Sequence, residues 1–200
     1  MPRRSRIAPS LLLPLLATLL LSAGLLLAGP AAATNYNTSD VQAHGGWHSL
    51  ALSLGEARHF RAIDQHSYSD SIFSVNASAG ACDLPWLELR VALDAYQPES
   101  ATVNRVPADL RVDHETIHSG RAAFVTERGD RGFYVRIALP ELDLLLDEMA
   151  AGELLRLRLM RGEDDPWFMA FSLAGAGEAI ARMQRLCAQA PAPGGDEGND

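Results

Sequence analysis

The feature that most constrains the fold is a two-residue alternation of apolar and polar side chains through the middle of the chain. It is clearest at residues 86–93, where leucine and valine alternate mostly with charged residues, and it recurs at 133–137 and 155–159. Because successive side chains of a strand point to opposite faces, each segment predicts a strand with one packed and one wet face, as in antiparallel sheets. Shorter strand-like segments lie at residues 47–53, 59–63, 71–77, 122–127 and 167–173.

Two segments show helical signals instead. Pro140 and Glu141 mark a helix start, and residues 142–151 extend this helix to a capping glycine, Gly152. Residues 174–190 predict an amphipathic helix that follows a tight glycine-containing turn. Its apolar face is made of Ala176, Ile180, Met183 and Cys187. The predicted fold is therefore mainly β (α+β): an antiparallel β-sandwich or open barrel with a docked C-terminal helix and one further short helix.

The two ends of the chain are predicted to lie outside the folded domain. Residues 1–33 combine three early arginines, a long apolar run and a small-residue cleavage site, which is the pattern of a secretory signal peptide. A retained membrane anchor is the alternative, because the apolar run is about long enough to cross a bilayer. Residues 190–200 are rich in proline, glycine and acids and predict a disordered acidic tail. One β-rich exported domain is thus expected at residues 34–189.

The charge balance excludes one class of partner. All seventeen basic residues are arginine, and without residues 1–33 the chain has 14 arginines against 25 acidic residues, a net charge of −11. Nucleic-acid binding depends on cationic neutralisation of phosphates, so no nucleic-acid partner is expected. The lysine-free composition, rich in alanine, leucine and glycine, is typical of a GC-rich bacterial gene. With the signal peptide, it predicts a periplasmic or secreted protein.

The chain has two cysteines, Cys82 and Cys187. An isolated pair in an exported protein typically forms a disulfide, which we expect here. Cys187 falls on the apolar face of the second predicted helix, so the bridge would tie that helix to the strand at residues 86–93. A catalytic thiol is the alternative, but neither cysteine has a neighbouring histidine or a Cys-x-x-Cys partner.

The segment His-Glu-Thr-Ile-His at residues 114–118 matches the H-E-x-x-H pattern of zinc metallopeptidases. Zinc binding requires that His114 and His118 converge on one ion, which positions i and i+4 of a helix permit. On a strand the same positions lie about 13 Å apart, too far for one zinc. In the helical alternative Glu115 would be the general base, and Glu141 is available as a third ligand.

Local signals favour a strand over a helix at this segment. Leu110, Val112 and Thr116 alternate with polar residues, and β-branched side chains favour strands. Pro107 and Gly120 are the opposing signals, because they suit the start and the cap of a helix. We therefore expect neither a metal site nor a catalytic residue here, and a zinc site remains the alternative.

Two further groups of polar residues are open to a functional interpretation. His44 and His48 are also four residues apart, so a second, loosely bound metal is the functional alternative. The glycines between them disfavour a helix, so solvent-exposed loop histidines are expected. Four arginines of the predicted strands suggest either an anion-binding sheet face or, as we expect, a wet face interleaved with acids such as Glu88. These arginines are Arg90, Arg136, Arg156 and Arg158.

The C-terminal run WFMAFSLAGAGEAIARMQRLC, residues 167–187, resembles the strand–turn–helix–Cys ending of several small bacterial periplasmic families. Among them are the type VI secretion-associated TagO/VasI-like and the invasion-associated locus B-like proteins. The matching residues are Phe171-Ser172-Leu173, Gly175, Ala179 and Cys187, with a strand that runs into a turn at 110–113. The resemblance implies a β-rich exported domain with a C-terminal helix and a disulfide, and it transfers no catalytic residue.

These features together predict a non-catalytic exported domain with a binding or assembly role in the bacterial cell envelope. No cofactor is expected, the partner is expected to be another envelope or secreted protein, and no stable membrane anchor should remain after signal cleavage. The alternative is a small zinc-dependent hydrolase or peptidase that uses His114, His118 and Glu115, with zinc as its cofactor.

Overall fold

The computed structural model of the 200-residue chain describes residues 36–65 and 71–191. These residues belong to one compact unit, Ala33–Asp200. The predicted signal peptide at 1–33 and residues 192–200 of the predicted tail lie outside the described residues, so both assignments stay predictions. No helix of the described part is long and apolar enough to cross a membrane.

The described residues form ten strands and two helices. The helices are α1 (Leu142–Ala151) and α2 (Ala176–Gln189). In chain order, the strands are β1 (Asn37–His44), β2 (Trp47–Leu54), β3 (Ala57–Asp64), β4 (Ser71–Ser78), β5 (Ala81–Ala92), β6 (Ala101–Val112), β7 (His118–Thr126), β8 (Gly132–Ala138), β9 (Leu154–Met160) and β10 (Pro166–Ser172). Helix α1 joins β8 to β9, and α2 follows β10.

These ten strands belong to one antiparallel sheet in the order β1-β2-β3-β4-β5-β8-β7-β6-β9-β10. Strands β1 to β5 are neighbours in sequence as well as in space, whereas β8, β7 and β6 follow in reversed order. This reversal places β6 beside β9. These two paired strands are separated in the sequence by β7, β8 and α1. The predicted mainly β fold with a docked C-terminal helix is confirmed.

The sheet curls so that strands from distant positions meet. The rings of Phe73 in β4 and Phe171 in β10 have centroids 5.0 Å apart, and Trp47 of β2 packs edge-on against Phe73. The indole N–H of Trp47 also donates to the Ser172 carbonyl at 2.8 Å. All described strands share one sheet, and its edge strands β1 and β10 do not pair with each other, so the sheet is open rather than a closed barrel.

Helix α2 packs its apolar face against β1 to β5, and Ala176, Ile180, Met183 and Cys187 are buried as predicted. At the start of β5, the Sγ atom of Cys82 is 2.04 Å from that of Cys187, and the two cysteines form a disulfide. The bridge therefore joins the last helix to the middle of the sheet.

A tight turn leads from β10 into α2. Gly175 takes φ +92°, a left-handed conformation that favours glycine. A Cβ atom at this position would lie 1.7 Å from the His44 carbonyl oxygen, so the turn after β1 packs directly on Gly175. Gly175 thus serves the strand-to-helix turn that the sequence predicted, whereas Gly177 lies within α2, close to Ala150.

Two strands of the structure, β1 and β6, are not among the strand segments delimited from the sequence pattern. Almost every residue of β1 is exposed, so apolar alternation does not mark it. Strand β6 occupies residues 101–112. The zinc alternative required a helix at residues 107–119, so half of β6 lies where that helix would have to form. That alternative is therefore wrong, and its consequences for the zinc hypothesis follow from the contacts at the turn after β6.

Candidate functional site

The His-Glu-Thr-Ile-His segment forms a hairpin turn between two strands. Strand β6 ends at Val112, residues 113–117 form the turn, and His118 begins β7. His114 and Glu115 are exposed, whereas only 5% of the surface of His118 is accessible. The helix that would bring the two histidines onto one zinc ion is not formed.

Contacts from neighbouring side chains explain why this segment turns. Arg111 donates to the His114 carbonyl at 2.7 Å and to the Glu115 carbonyl at 2.8 Å. In an α-helix these carbonyls would instead accept from amides four residues later. Asp113 takes φ +43°. Its carboxylate accepts hydrogen bonds from the backbone amides of Glu153 at 2.9 Å and Leu154 at 3.0 Å. Arg111 and Asp113 thus stabilise a turn that the H-E-x-x-H pattern does not reveal.

His118 has a carboxylate partner from α1, but it is not the predicted one. Its Nε2 atom lies 2.8 Å from Oε2 of Glu148, and the two side chains are 2% and 14% exposed. Glu141, the third ligand of the zinc alternative, is exposed at the start of α1. Glu148 lies between the buried residues Leu145 and Met149 of α1. This position beside the apolar face of the helix is the sequence signal that could have indicated a partly buried carboxylate.

The residues of the zinc alternative therefore occupy different surroundings. His114 and Glu115 are exposed in the turn, Glu141 is exposed directly before α1, and His118 is buried beside Glu148. Across residues 36–65 and 71–191, no group of three or more His, Cys, Asp or Glu side chains is arranged to hold a metal ion. The zinc alternative depends on a helix that this part of the chain does not form.

A buried histidine at the end of β1 forms a second polar cluster. The Nε2 atom of His44 lies 2.9 Å from Ser49 Oγ, and its Nδ1 atom lies 3.5 Å from the Glu178 carboxylate. A serine, a histidine and a carboxylate in this order are also the components of a hydrolase triad. The prediction of a solvent-exposed histidine is wrong for His44, because α2 covers it and leaves 7% of its surface accessible.

The position of Ser49 argues against nucleophilic chemistry in this cluster. Ser49 is wholly buried, and Arg182 of α2 donates to its Oγ atom at 3.0 Å. The same guanidinium donates to the Asp40 carbonyl of β1 at 2.7 Å. A cleft of about 530 Å³ lies beside the cluster, and His44 and Glu178 line it but Ser49 does not. A serine nucleophile must reach its substrate, so these contacts serve to hold β1 and β2 against α2.

A buried carboxylate lies near the centre of the outer sheet face. Glu88 of β5 was expected on a wet face, but only 4% of its surface is accessible. Arg61 of β3 donates to one carboxylate oxygen at 3.0 Å, and Arg136 of β8 donates to the other at 3.2 Å. Arg136 reaches Glu88 from β8, which is next to β5, and Arg61 reaches it from β3, across β4. Together the two long side chains pair with both carboxylate oxygens. Glu88 therefore stabilises the sheet and offers no free charge to a ligand.

The outer face of β6, β7 and β9 carries a surplus of positive charge. Along each strand, inward apolar residues alternate with outward polar ones, and the outward positions include five arginines but one acid, Asp109. We call these five residues the arginine face. They are Arg105, Arg111, Arg121, Arg156 and Arg158.

Carboxylates neutralise only part of this charge. Arg158 donates to Asp109 at 2.9 Å. Burial favours the neutral Asp109 carboxyl, but hydrogen bonds from Ser119 and Arg158 outweigh it and lower the pKa of Asp109. Arg156 donates to the backbone carbonyl of Asp113 at 2.9 Å, as Arg111 does to the same turn. Four of the five arginines thus have no carboxylate partner among the described residues.

Three of the four arginines that the sequence singled out have acidic partners, although Glu88, which was expected on a wet face, is buried. Arg90 pairs with Asp130, Arg136 pairs with Glu88 and Glu127, and Arg158 pairs with Asp109. Arg156 differs, because its described partner is a backbone carbonyl. The arginine face was missed as a unit because two of its members lie on β6, whose pairing with β9 is not visible in the sequence.

The fold and these surfaces define a class of protein: an antiparallel single-sheet domain, joined by one disulfide to its C-terminal helix, with one basic face on an acidic chain. The chain matches no protein-family model, and no curated protein or solved structure is significantly similar to it. The resemblance of its C-terminal run to the TagO/VasI-like and locus B-like proteins therefore stays an expectation from the sequence.

Proposed function

We propose that this protein is a non-catalytic exported domain that binds another envelope or secreted protein in the bacterial cell envelope. The observation that supports the proposal is the arginine face, which lies on a chain whose net charge is −8. Such a segregated basic surface fits an acidic surface on the partner, because complementary charge increases specificity and the rate of association. Guanidinium groups also pair with carboxylates through two hydrogen bonds at once.

The local geometry favours recognition of a fixed pattern of acids. Arg111 and Arg156 are direct cross-strand neighbours, so their backbones lie about 5 Å apart. Backbone carbonyls of residues 113–115 hold both guanidinium groups without neutralising them. A side chain that is already held in place loses less conformational entropy on binding than a free one. This pair is therefore the centre of the proposed binding surface.

A double charge reversal tests the proposal. Arg111→Glu combined with Arg156→Glu should reduce the affinity for the envelope partner about tenfold or more, because like charges across an interface cost several kcal/mol and about 1.4 kcal/mol is tenfold in affinity. The partner is first isolated by co-purification from the periplasm of the producing bacterium, and its affinity is then measured by calorimetry. Added salt should weaken the wild-type complex, because it screens exposed charges.

The matched control is Arg58→Glu combined with Arg128→Glu. Both arginines are exposed and lie outside the arginine face, and the change in net charge is the same. The control should retain wild-type affinity. Equal losses in the two variants would indicate a general charge effect, and unchanged affinity after reversal of Arg111 and Arg156 would contradict the proposed surface.

A further inference from the structure

The sheet has two outer edges, β1 and β10, and among the described residues only the β1 edge carries irregularities that hinder pairing with another chain. In β1 the pairing with β2 is interrupted between Ser39 and Gln42, Asp40 takes φ +54°, and Arg182 binds the Asp40 carbonyl. Such irregularities keep an edge strand from accepting a further strand. Strand β10, Pro166–Ser172, pairs with β9 in an uninterrupted register and contains no charged residue.

The open part of the β10 edge is short and has well-defined limits. Pro166 has no amide hydrogen to donate, and the Ser172 carbonyl already accepts the Trp47 indole N–H. Between them lie residues 167–171, and no hydrogen bond from another described element reaches their free edge. In an antiparallel strand, alternate residues direct their N–H and C=O groups to such an edge, where a further strand can pair with them. Met169 is the central residue of this segment.

We infer that β10 of a second copy of this chain pairs antiparallel with this edge, about a two-fold axis at Met169. The axis places Phe168 of one copy opposite Ala170 of the other, on the outer face of the joined sheet. Phe168 is 67% exposed, and the small side chain of Ala170 leaves room for its ring. Trp167 and Phe171 pair in the same way on the inner face. An isologous contact of this kind closes at two copies.

The charges beside this junction are compatible with the pairing. Across β9, Phe168 has Arg158 as its neighbour, and Ala170 has Arg156. In the joined sheet, Arg158 of one copy and Arg156 of the other lie three strand spacings apart, about 14 Å. This separation exceeds the Debye length of about 8 Å at physiological ionic strength, so their repulsion is screened. The pairing also places the arginine faces of both copies on one side of the joined sheet.

A cysteine at the symmetry axis tests the register directly. The two native cysteines are bonded to each other, so Met169→Cys introduces a single free thiol. Directly opposed residues of antiparallel strands have Cα atoms about 4.5–5.5 Å apart, within the range of a disulfide. After mild oxidation, most of the Met169→Cys protein should migrate as a dimer on a non-reducing gel and as a monomer after reduction.

The matched control for cross-linking is Ala170→Cys. The proposed axis places this residue opposite Phe168 of the other copy. The two introduced cysteines would therefore be offset by two positions along the paired strands, and Ala170→Cys should cross-link far less than Met169→Cys. Equal cross-linking of the two variants would overturn the register, and the absence of cross-linking in Met169→Cys would overturn the pairing.

A second measurement does not depend on an introduced cysteine. Sedimentation of protein produced from the full-length sequence should give the mass of a dimer, and Phe168→Lys should give a monomer with an unchanged circular dichroism spectrum. Val41→Lys on the β1 edge, where Val41 is 56% exposed, should remain a dimer. A monomeric wild-type protein would overturn the inference, in favour of an edge that is covered or that accepts a strand from another protein. The Arg111 and Arg156 variants should keep the dimer mass. A failure of the proposed partner binding can therefore be distinguished from a failure of the proposed strand pairing.

Discussion

At the scale of single residues, His118 takes its role from a neighbour far away in the sequence. It lies four residues after His114, yet its partner is Glu148, thirty residues further along the chain. The turn formed by Asp113 exposes His114, while β7 directs His118 inward against α1. The same five-residue pattern therefore contains one surface histidine and one interior histidine, and their spacing indicates nothing about a shared ligand.

The first prediction separates these two roles. Glu148→Ala should lower the free energy of unfolding by about 1–3 kcal/mol, because it leaves the buried His118 ring nitrogen without its partner. His114→Ala should change it by less than about 0.5 kcal/mol, because His114 is exposed. Urea denaturation measures both values. One zinc ion per chain by elemental analysis, lost in the His114→Ala variant, would contradict the turn and favour the zinc hydrolase.

A second residue-scale prediction concerns pH. Burial, followed by a hydrogen bond to Asp130, raises the pKa of Tyr134 to about 12. The unfolded chain has a tyrosine pKa of about 10, so the folded state holds this proton more tightly. Its contribution to stability is therefore fully present below about pH 10 and is lost as the pH rises through about 12.

Ultraviolet titration of tyrosinate absorbance checks this prediction. The wild-type protein should show a transition near pH 12 that is missing in Tyr134→Phe. A wild-type titration curve that is complete by about pH 11 while the circular dichroism spectrum remains native would show that Tyr134 is not held as the structure indicates.

At the scale of elements, α2 fastens the first half of the sheet. Its apolar face packs on β1 to β5, and Arg182 reaches the Asp40 carbonyl and Ser49 Oγ. The disulfide between Cys82 and Cys187 adds a covalent connection to β5. Since β1 is almost entirely exposed and lies at the sheet edge, its contacts with β2 and α2 are what hold it in place.

The third prediction follows from the covalent connection. The bridge spans 105 residues, so its removal should lower the free energy of unfolding by about 4–5 kcal/mol, through the greater entropy of the unfolded chain. Urea denaturation of Cys82→Ala combined with Cys187→Ala, compared with the wild type, measures the loss. The native wild-type protein should show no titratable thiol before reduction. Two reactive thiols, or equal stability of the two proteins, would contradict the bridge.

At the scale of the whole molecule, sheet order decides which side chains act together. Because β6 pairs with both β7 and β9, arginines from three separate segments share one outer face. The curl of the sheet brings Phe73 and Phe171 together in the core, although they lie almost a hundred residues apart. One edge is closed by the irregularity in β1, and the other ends in the regular strand β10. The proposed partner surface and the proposed pairing edge are both consequences of this order.

Much of the fold was predictable because the relevant signals are local. The strands predicted at 86–93, 133–137 and 155–159 are present as β5, β8 and β9, since alternation records which side chains face the core. The apolar face of α2 followed from its helical period in the same way. Strand β1 is almost entirely exposed, so its sequence shows no alternation of apolar and polar residues. The burial of Glu88 depends on Arg61 and Arg136, which lie on other strands.

By itself the sequence determined the mainly β class, most of the strands, both helices and the expectation that the two cysteines pair. Each of these depends on composition or on the period of side chains along a short stretch of chain. Only the tertiary structure decided that residues 114–118 form a turn, that His118 meets Glu148, and that the arginine face is continuous. These features depend on strand order and on contacts between distant residues, which no local period encodes. The physical reason is that the free energy of a buried pair or of a charged face depends on which segments are neighbours in space.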